Sequence, residues 1–229
     1  MAVEDSASGP KIGFFGPMKD LSSAQYDVEI LPTGQIRARI EHAPMAGVTP
    51  QMMRWWFEHI DEFTHYNGVG FDGPLVQHYR LWHPYDHIRV NWSKRVCDAE
   101  GRLAPGSIIE IEENLGGIAP VRAKARVLRF DDSAFNFAMR PHGPLEVGVL
   151  LHEYAETREG CSFYTEMLVG FEQPLVRNLL NPWVRRLLGG VEFIETWILH
   201  NIEESGETEK FVPKLYAHAL EGAEGTSGA

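Results

Sequence analysis

The sequence predicts a single α+β domain in which a curved antiparallel sheet wraps over one long C-terminal helix, with a ligand cavity between them. Three observations point there. Strand-length segments separated by turn residues fill the middle of the chain. The hydrophobic period then changes from that of a strand to that of a helix near residue 175. Pro and Gly are scattered as turn signals rather than gathered into a linker, so one domain is the better reading of 229 residues. At 44% hydrophobic and 23% charged residues, the composition is that of a globular protein.

Taken in order, residues 1–10 are small and polar and read as a flexible tail, with the domain running over 11–220. The first residues carry neither a basic segment nor an apolar run, so no signal peptide is expected. No window approaches the ~18–20 consecutive apolar residues of a membrane span. A cytoplasmic protein with reduced Cys97 and Cys161 follows as the expectation. Gln35 to Glu41 alternates apolar and polar residues and reads as a strand. Thr49 and Pro50 have the chemistry of an N-cap and a first helical residue, with Met52, Trp55, Trp56 and Ile60 as the apolar stripe that follows. The strand-like runs are Ser107–Leu115, Val121–Phe130, Ala134–Met139, Leu145–Tyr154 and Ser162–Val169. Gly116–Gly117, Asp131–Asp132, Pro141–Pro144 and Glu159–Gly160 punctuate them as turns. Leu175–Leu188 and Val191–Glu204 read as helices, broken at Pro182 and at Gly189–Gly190, and 221–229 reads as a second tail.

Lys plus Arg number 21 against 32 Asp plus Glu, a net charge of −11. Such a chain lacks the basic footprint of a nucleic-acid binder or of a protein that sits on an anionic membrane. The unusual count is histidine, ten in all, several of them beside carboxylates. His200 and Glu204 are four apart and share a helical face with Phe193 and Trp197. They suit either a divalent metal or an exposed i, i+4 pair. Trp82 to His87 places His83, Asp86 and His87 around Pro84, which bends the chain; the group either converges or is an ordinary polar turn. In a strand, Ile109, Ile111 and Glu113 share one face, and Glu110, Glu112 and Asn114 the other. Glu113 then ends an apolar row, unless the strand stops at Ile111 and every glutamate is wet. His152 lies in the apolar run Val147–Tyr154, sharing a face with Leu150 and Tyr154; a lone histidine there is more often a core residue than a catalyst.

Two strings together carry a resemblance: Val48–Phe57 (VTPQMMRWWF) and Tyr79–His87 (YRLWHPYDH). With the His200/Glu204 pair they resemble the 2,4-diacetylphloroglucinol hydrolases, the group that includes phloretin hydrolase, over roughly residues 35 to 205. The resemblance implies a START-like, helix-grip fold and one Zn²⁺ per chain. It implies His83, Glu113, His200 and Glu204 as the metal ligands, with Glu112 as the fallback for Glu113; His87 then reads as a supporting or a structural residue. Asp86 and His152 take the catalytic proton-handling positions, and Tyr79, Ile111, Tyr154 and Trp197 contact substrate. The implied reaction is hydrolysis of the C–C bond between a phenolic ring and its acyl group, releasing a carboxylic acid from a small acyl-phenol. A homodimer is compatible with that reading. Two rivals remain: a START-like carrier of a hydrophobic or aromatic ligand that does no chemistry, and a related-fold enzyme using another metal.

Overall fold

A computed structural model describes residues 10–140, 145–187 and 191–226. The turn expected at Pro141–Pro144, the break at Gly189–Gly190 and most of the two tails lie outside those residues. Eight strands make one antiparallel sheet: β1 (Ala24–Ile30), β2 (Ile36–His42), β3 (His87–Lys94), β4 (Ile108–Leu115), β5 (Ala119–Asp131), β6 (Ala134–Arg140), β7 (Gly148–Thr157) and β8 (Gly160–Val169). Their order across the sheet is β1-β2-β8-β7-β6-β5-β4-β3. The helices are α1 (Pro50–Glu58), α2 (His78–Trp82), α3 (Pro174–Leu187) and α4 (Val191–Thr226). The sheet curves over α4, which touches β2 near one edge and β4 near the other, with α1 and α2 packed alongside. This is the α+β, helix-grip arrangement that the sequence predicts.

Local chemistry explains the elements that hold the site. Thr49 caps α1 by accepting a hydrogen bond from the Met52 N–H at 3.2 Å, and Pro50 opens the helix. The face that α1 buries is Met53, Trp56 and Phe57, continued by Ile60, whereas Met52 and Trp55 sit at its margin. On the inner face of the sheet Ile36, Ala38 and Ile40 of β2 and Ile109 of β4 are buried. The outer face is charged: Glu110 pairs with Lys124, and Glu112 with Arg89 and Arg122.

Several features differ from the sequence reading, helix α2 among them. β1 and β3 are strands that the sequence reading did not include, although Ala24 to Ile30 alternates apolar and polar residues throughout. In β3 the pairing register slips between His87 and Arg89 and again between Trp92 and Lys94, which breaks the period of two. β1 is an edge strand whose inner-face residues Tyr26, Val28 and Ile30 remain exposed. α3 continues through Pro182, whose ring lies on an exposed side of the helix. α4 is 36 residues long, passes Glu204, Gly206 and Pro213, and covers Glu221 to Thr226, which the sequence assigns to a tail. Burial of Phe211, Val212 and Leu215 sustains its second half. Among the described residues no helix is long and apolar enough to cross a membrane.

Candidate metal centre

Three elements converge on one buried group of donors. His87 opens β3 directly after the Pro84 turn. Its Nδ1–H donates to the Tyr79 carbonyl oxygen at 2.7 Å, and its ring stacks on Tyr79 with centroids 3.6 Å apart. That bond leaves the Nε2 lone pair free. Nε2 is buried without a hydrogen-bond partner, 3.1 Å from Glu204 Oε2 and 3.8 Å from Glu113 Oε1. Glu113 stands opposite His87 in the β4–β3 ladder and accepts a hydrogen bond from the Tyr79 hydroxyl. From α4 come His200 and Glu204, one turn apart, with His200 Nε2 at 3.6 Å from Glu204 Oε2. His200 Nδ1–H donates to Asp86 Oδ2 at 2.9 Å, and Asn201 Nδ2 donates to Glu204 Oε1 at 2.6 Å. One donor atom each of His87, His200 and Glu204 lie within 4.8 Å of one another.

The two histidines of the Pro84 turn differ in what their ring nitrogens touch. His83, expected as a ligand, has both nitrogens engaged. Nδ1 accepts the Asp86 backbone N–H at 3.0 Å, and Nε2–H donates to Glu203 Oε2 at 3.0 Å. His83, Asp86 and His200 also lie within 4.8 Å of one another, but as a hydrogen-bonded set. His87, expected in support, is the histidine with the unused nitrogen. The reason is the turn itself: the His87 N–H donates to the His83 carbonyl at 3.1 Å, so the chain doubles back and brings both rings against α4.

Burial governs the titration of the donors. It lowers His87, lowers His200 to about 3, raises Glu113 and raises Glu204 to about 8. The Tyr79 phenol is raised well above its ordinary value by burial and by the carboxylates of Glu113 and Glu204. Without a cation, then, the histidines are neutral and Glu204 holds a proton at neutral pH. Asp86 is the exception. Burial alone would raise it, but the His200 hydrogen bond, the neighbouring His83 and the Gly116 N–H at 3.0 Å outweigh that and hold it low.

The remaining predicted residues fall in three places. Asp86 accepts through Oδ2 from both His200 and Gly116, and so orients His200. Tyr79 is buried and orients Glu113. Ile111 is half-buried on the Glu113 side of β4, and Trp197 lies in the core. Tyr154 donates its hydroxyl to the Asp131 carbonyl oxygen at 2.7 Å, away from the donors. His152 donates Nδ1–H to the Phe135 carbonyl oxygen at 2.9 Å and lies among Phe57, Phe135, Phe137 and Phe163. Burial lowers it to about 4. The sequence reading did not single out Asn201 or Glu203. Their one signal was the density of polar residues between His200 and Thr208, where Asn201, Glu203, Ser205 and Glu207 are all buried.

No protein-family model and no curated protein matches the sequence. Solved structures give distant likenesses. Protein NE0264 from Nitrosomonas europaea is 11% identical, with 79% of this chain and 97% of that one covered at a TM-score of 0.44. A START superfamily protein from Mycobacterium smegmatis is 11% identical, with 76% and 97% covered at 0.42. Protein SA2116 of unknown function from Staphylococcus aureus is 10% identical, with 84% and 98% covered at 0.43. Likeness at that level says nothing of a site.

Proposed function

We propose that this protein is a divalent-metal hydrolase that cleaves the C–C bond between a phenolic ring and its acyl group, with His87, Glu113, His200 and Glu204 holding a zinc ion. One observation carries the metal: a buried imidazole lone pair, His87 Nε2, faces the carboxylates of Glu204 and Glu113 with no proton donor of its own to offer them. Two imidazoles and two carboxylates suit zinc, and their second contacts are of the kind that orients metal ligands. The Tyr79 carbonyl fixes the His87 tautomer, Asp86 fixes that of His200, the Tyr79 hydroxyl holds Glu113 and Asn201 holds Glu204. When bound, the ion supplies Lewis acidity.

The substrate class rests on the resemblance of Val48–Phe57 and Tyr79–His87 to acylphloroglucinol hydrolases. The overall reaction adds one water: the aryl carbon gains a hydrogen and the acyl carbon leaves as a carboxylic acid. An aryl carbanion is too poor a leaving group, so the acyl-bearing ring carbon takes a proton first, as a ring hydroxyl gives up its own. His152, neutral and with Nδ1 already donating, offers an Nε2 lone pair to a ring hydroxyl, and the phenylalanines around it suit a flat ring.

The test is metal analysis of purified protein joined to a panel of acyl-phenols. About one zinc per chain and release of a carboxylic acid are expected. Zinc without any acid released removes the substrate claim and leaves the site. A second reading has its own observation: with Glu204 raised to about 8, its proton can bridge to His87 and close the group with no metal. The protein is then a carrier of an aromatic ligand, and metal-free protein that binds such a ligand is the outcome that selects it.

A further inference from the structure

Helix α4 buries three carboxylates within two turns, Glu203, Glu204 and Glu207. Glu204 faces the donors. The other two face an N-terminal hairpin, Ile12–Gly13 paired with Gly16–Pro17. Lys11 Nζ donates to Glu203 Oε2 at 2.8 Å, and Lys210 Nζ donates to Glu207 Oε1 at 2.5 Å and to the Pro17 carbonyl at 2.7 Å. Gly13 passes so close that a Cβ on it would come within 2.8 Å of Glu207 Oε2. The Tyr85 hydroxyl, in the loop that bears Asp86, donates to the Ile12 carbonyl at 2.8 Å. The hairpin is therefore strapped both to α4 and to the Pro84 turn.

The Lys11 contact leads inward. The oxygen it holds, Glu203 Oε2, also accepts His83 Nε2–H at 3.0 Å; His83 Nδ1 accepts the Asp86 N–H at 3.0 Å; Asp86 Oδ2 accepts His200 Nδ1–H at 2.9 Å. A side chain 37% exposed is thus joined by four polar contacts to a proposed metal donor. A carboxylate buried as deeply as Glu203 needs a cation beside it. We infer that Lys11 is a positioning residue for the metal site: by holding Glu203 it holds His83, and through His83 the backbone of Asp86 and the aim of His200. This rests on the metal reading above. Outer contacts of this kind change metal affinity by about 10- to 100-fold, and Lys11 stands at the far end of the path.

The experiment is chelator competition for zinc on the full chain, comparing wild type, Lys11→Met, Lys11→Arg, Glu203→Gln and the Lys11→Met/Glu203→Gln double variant. Thermal unfolding of each metal-free protein is measured alongside. Lys11→Met is expected to weaken zinc about tenfold and Lys11→Arg to restore it to within about twofold. On the Glu203→Gln background Lys11→Met should add nothing further, because the carboxylate it serves is gone. Equal zinc affinity in wild type and Lys11→Met overturns the inference and leaves the metal site standing. So does a loss that persists undiminished on the Glu203→Gln background. A fall in metal-free stability that Lys11→Arg does not restore marks a packing role and overturns it as well. Wild-type protein that binds no zinc removes the metal reading, and this inference with it.

Discussion

Glu112 and Glu113 are neighbours on β4 and show almost the same side-chain exposure, 16% and 15%. What covers them differs. Glu112 lies under Arg89 and Arg122, two side chains that are themselves 72% and 80% exposed. Its carboxyl is held below the ordinary value by their hydrogen bonds and charge. Glu113 lies under the Tyr79 hydroxyl and the His87 ring, and burial pushes its carboxyl up. One carboxylate is paired with exposed guanidinium groups, the other with a buried phenol and imidazole. Exposure alone does not separate a surface ion pair from a candidate ligand; the solvation of the partners does.

Substitution at these two positions breaks the comparison most sharply. Glu113→Gln should abolish stoichiometric zinc binding, a loss beyond the roughly 100-fold upper range for supporting residues, whereas Glu112→Gln should stay within about twofold. Metal content after dialysis checks both, and equal loss would mean that β4 presents the wrong face. The Pro84 turn offers a parallel pair. His87→Ala should remove the metal, while His83→Ala, which strips a hydrogen bond from Asp86, should weaken it about tenfold. A His83→Ala protein devoid of metal beside a fully loaded His87→Ala protein would restore His83 as the ligand.

Protons give the next effect in size. Because Glu204 is raised to about 8 and Glu113 is also raised by burial, while His87 and His200 are lowered, metal binding at pH 7 should release protons, at least the one that Glu204 holds. Calorimetry in buffers of different ionisation enthalpy measures the number. Release should fade, and apparent affinity level off, as pH rises past 8. Linkage adds a sign for stability. A carboxyl raised on folding binds its proton more tightly in the native state, so metal-free protein should lose stability as pH rises from the ordinary 4.5 towards 8. A flat stability profile across that window would show that Glu204 is not buried as described.

Much of this was written into the residue pattern. The inward row Ile109, Ile111 and Glu113 follows from strand alternation, and the His200/Glu204 pair from helical spacing, because both depend only on local period. Which histidine of the Pro84 turn has a free nitrogen was not legible. It depends on a backbone N–H and on Glu203, far away in sequence. β3 was hidden by its two register slips, and the full length of α4 by Gly206, Pro213 and a run of polar residues that only tertiary partners make buriable. The partners of Asp86 were not legible for the same reason, since His200 and Gly116 come from a helix and a strand turn elsewhere in the chain.

The smallest expected effect lies on the outer face of the sheet. Glu146 accepts hydrogen bonds from Arg126 at 2.8 Å and from Arg140 at 2.6 Å, and those bonds and charges lower its carboxyl to about 2. A carboxyl lowered on folding stabilises the native state above its ordinary value of 4.5, and that contribution is lost as pH falls through about 2. The group and both arginines are about a third exposed, so water and salt screen the pairs. Glu146→Gln should therefore cost below about 1 kcal/mol at pH 7 and leave zinc binding untouched. Denaturant unfolding at low and high salt checks it, with the difference from wild type shrinking as salt rises. A loss of several kcal/mol that salt does not diminish would place Glu146 with the interior carboxylates and erase the line drawn between the two faces of the sheet.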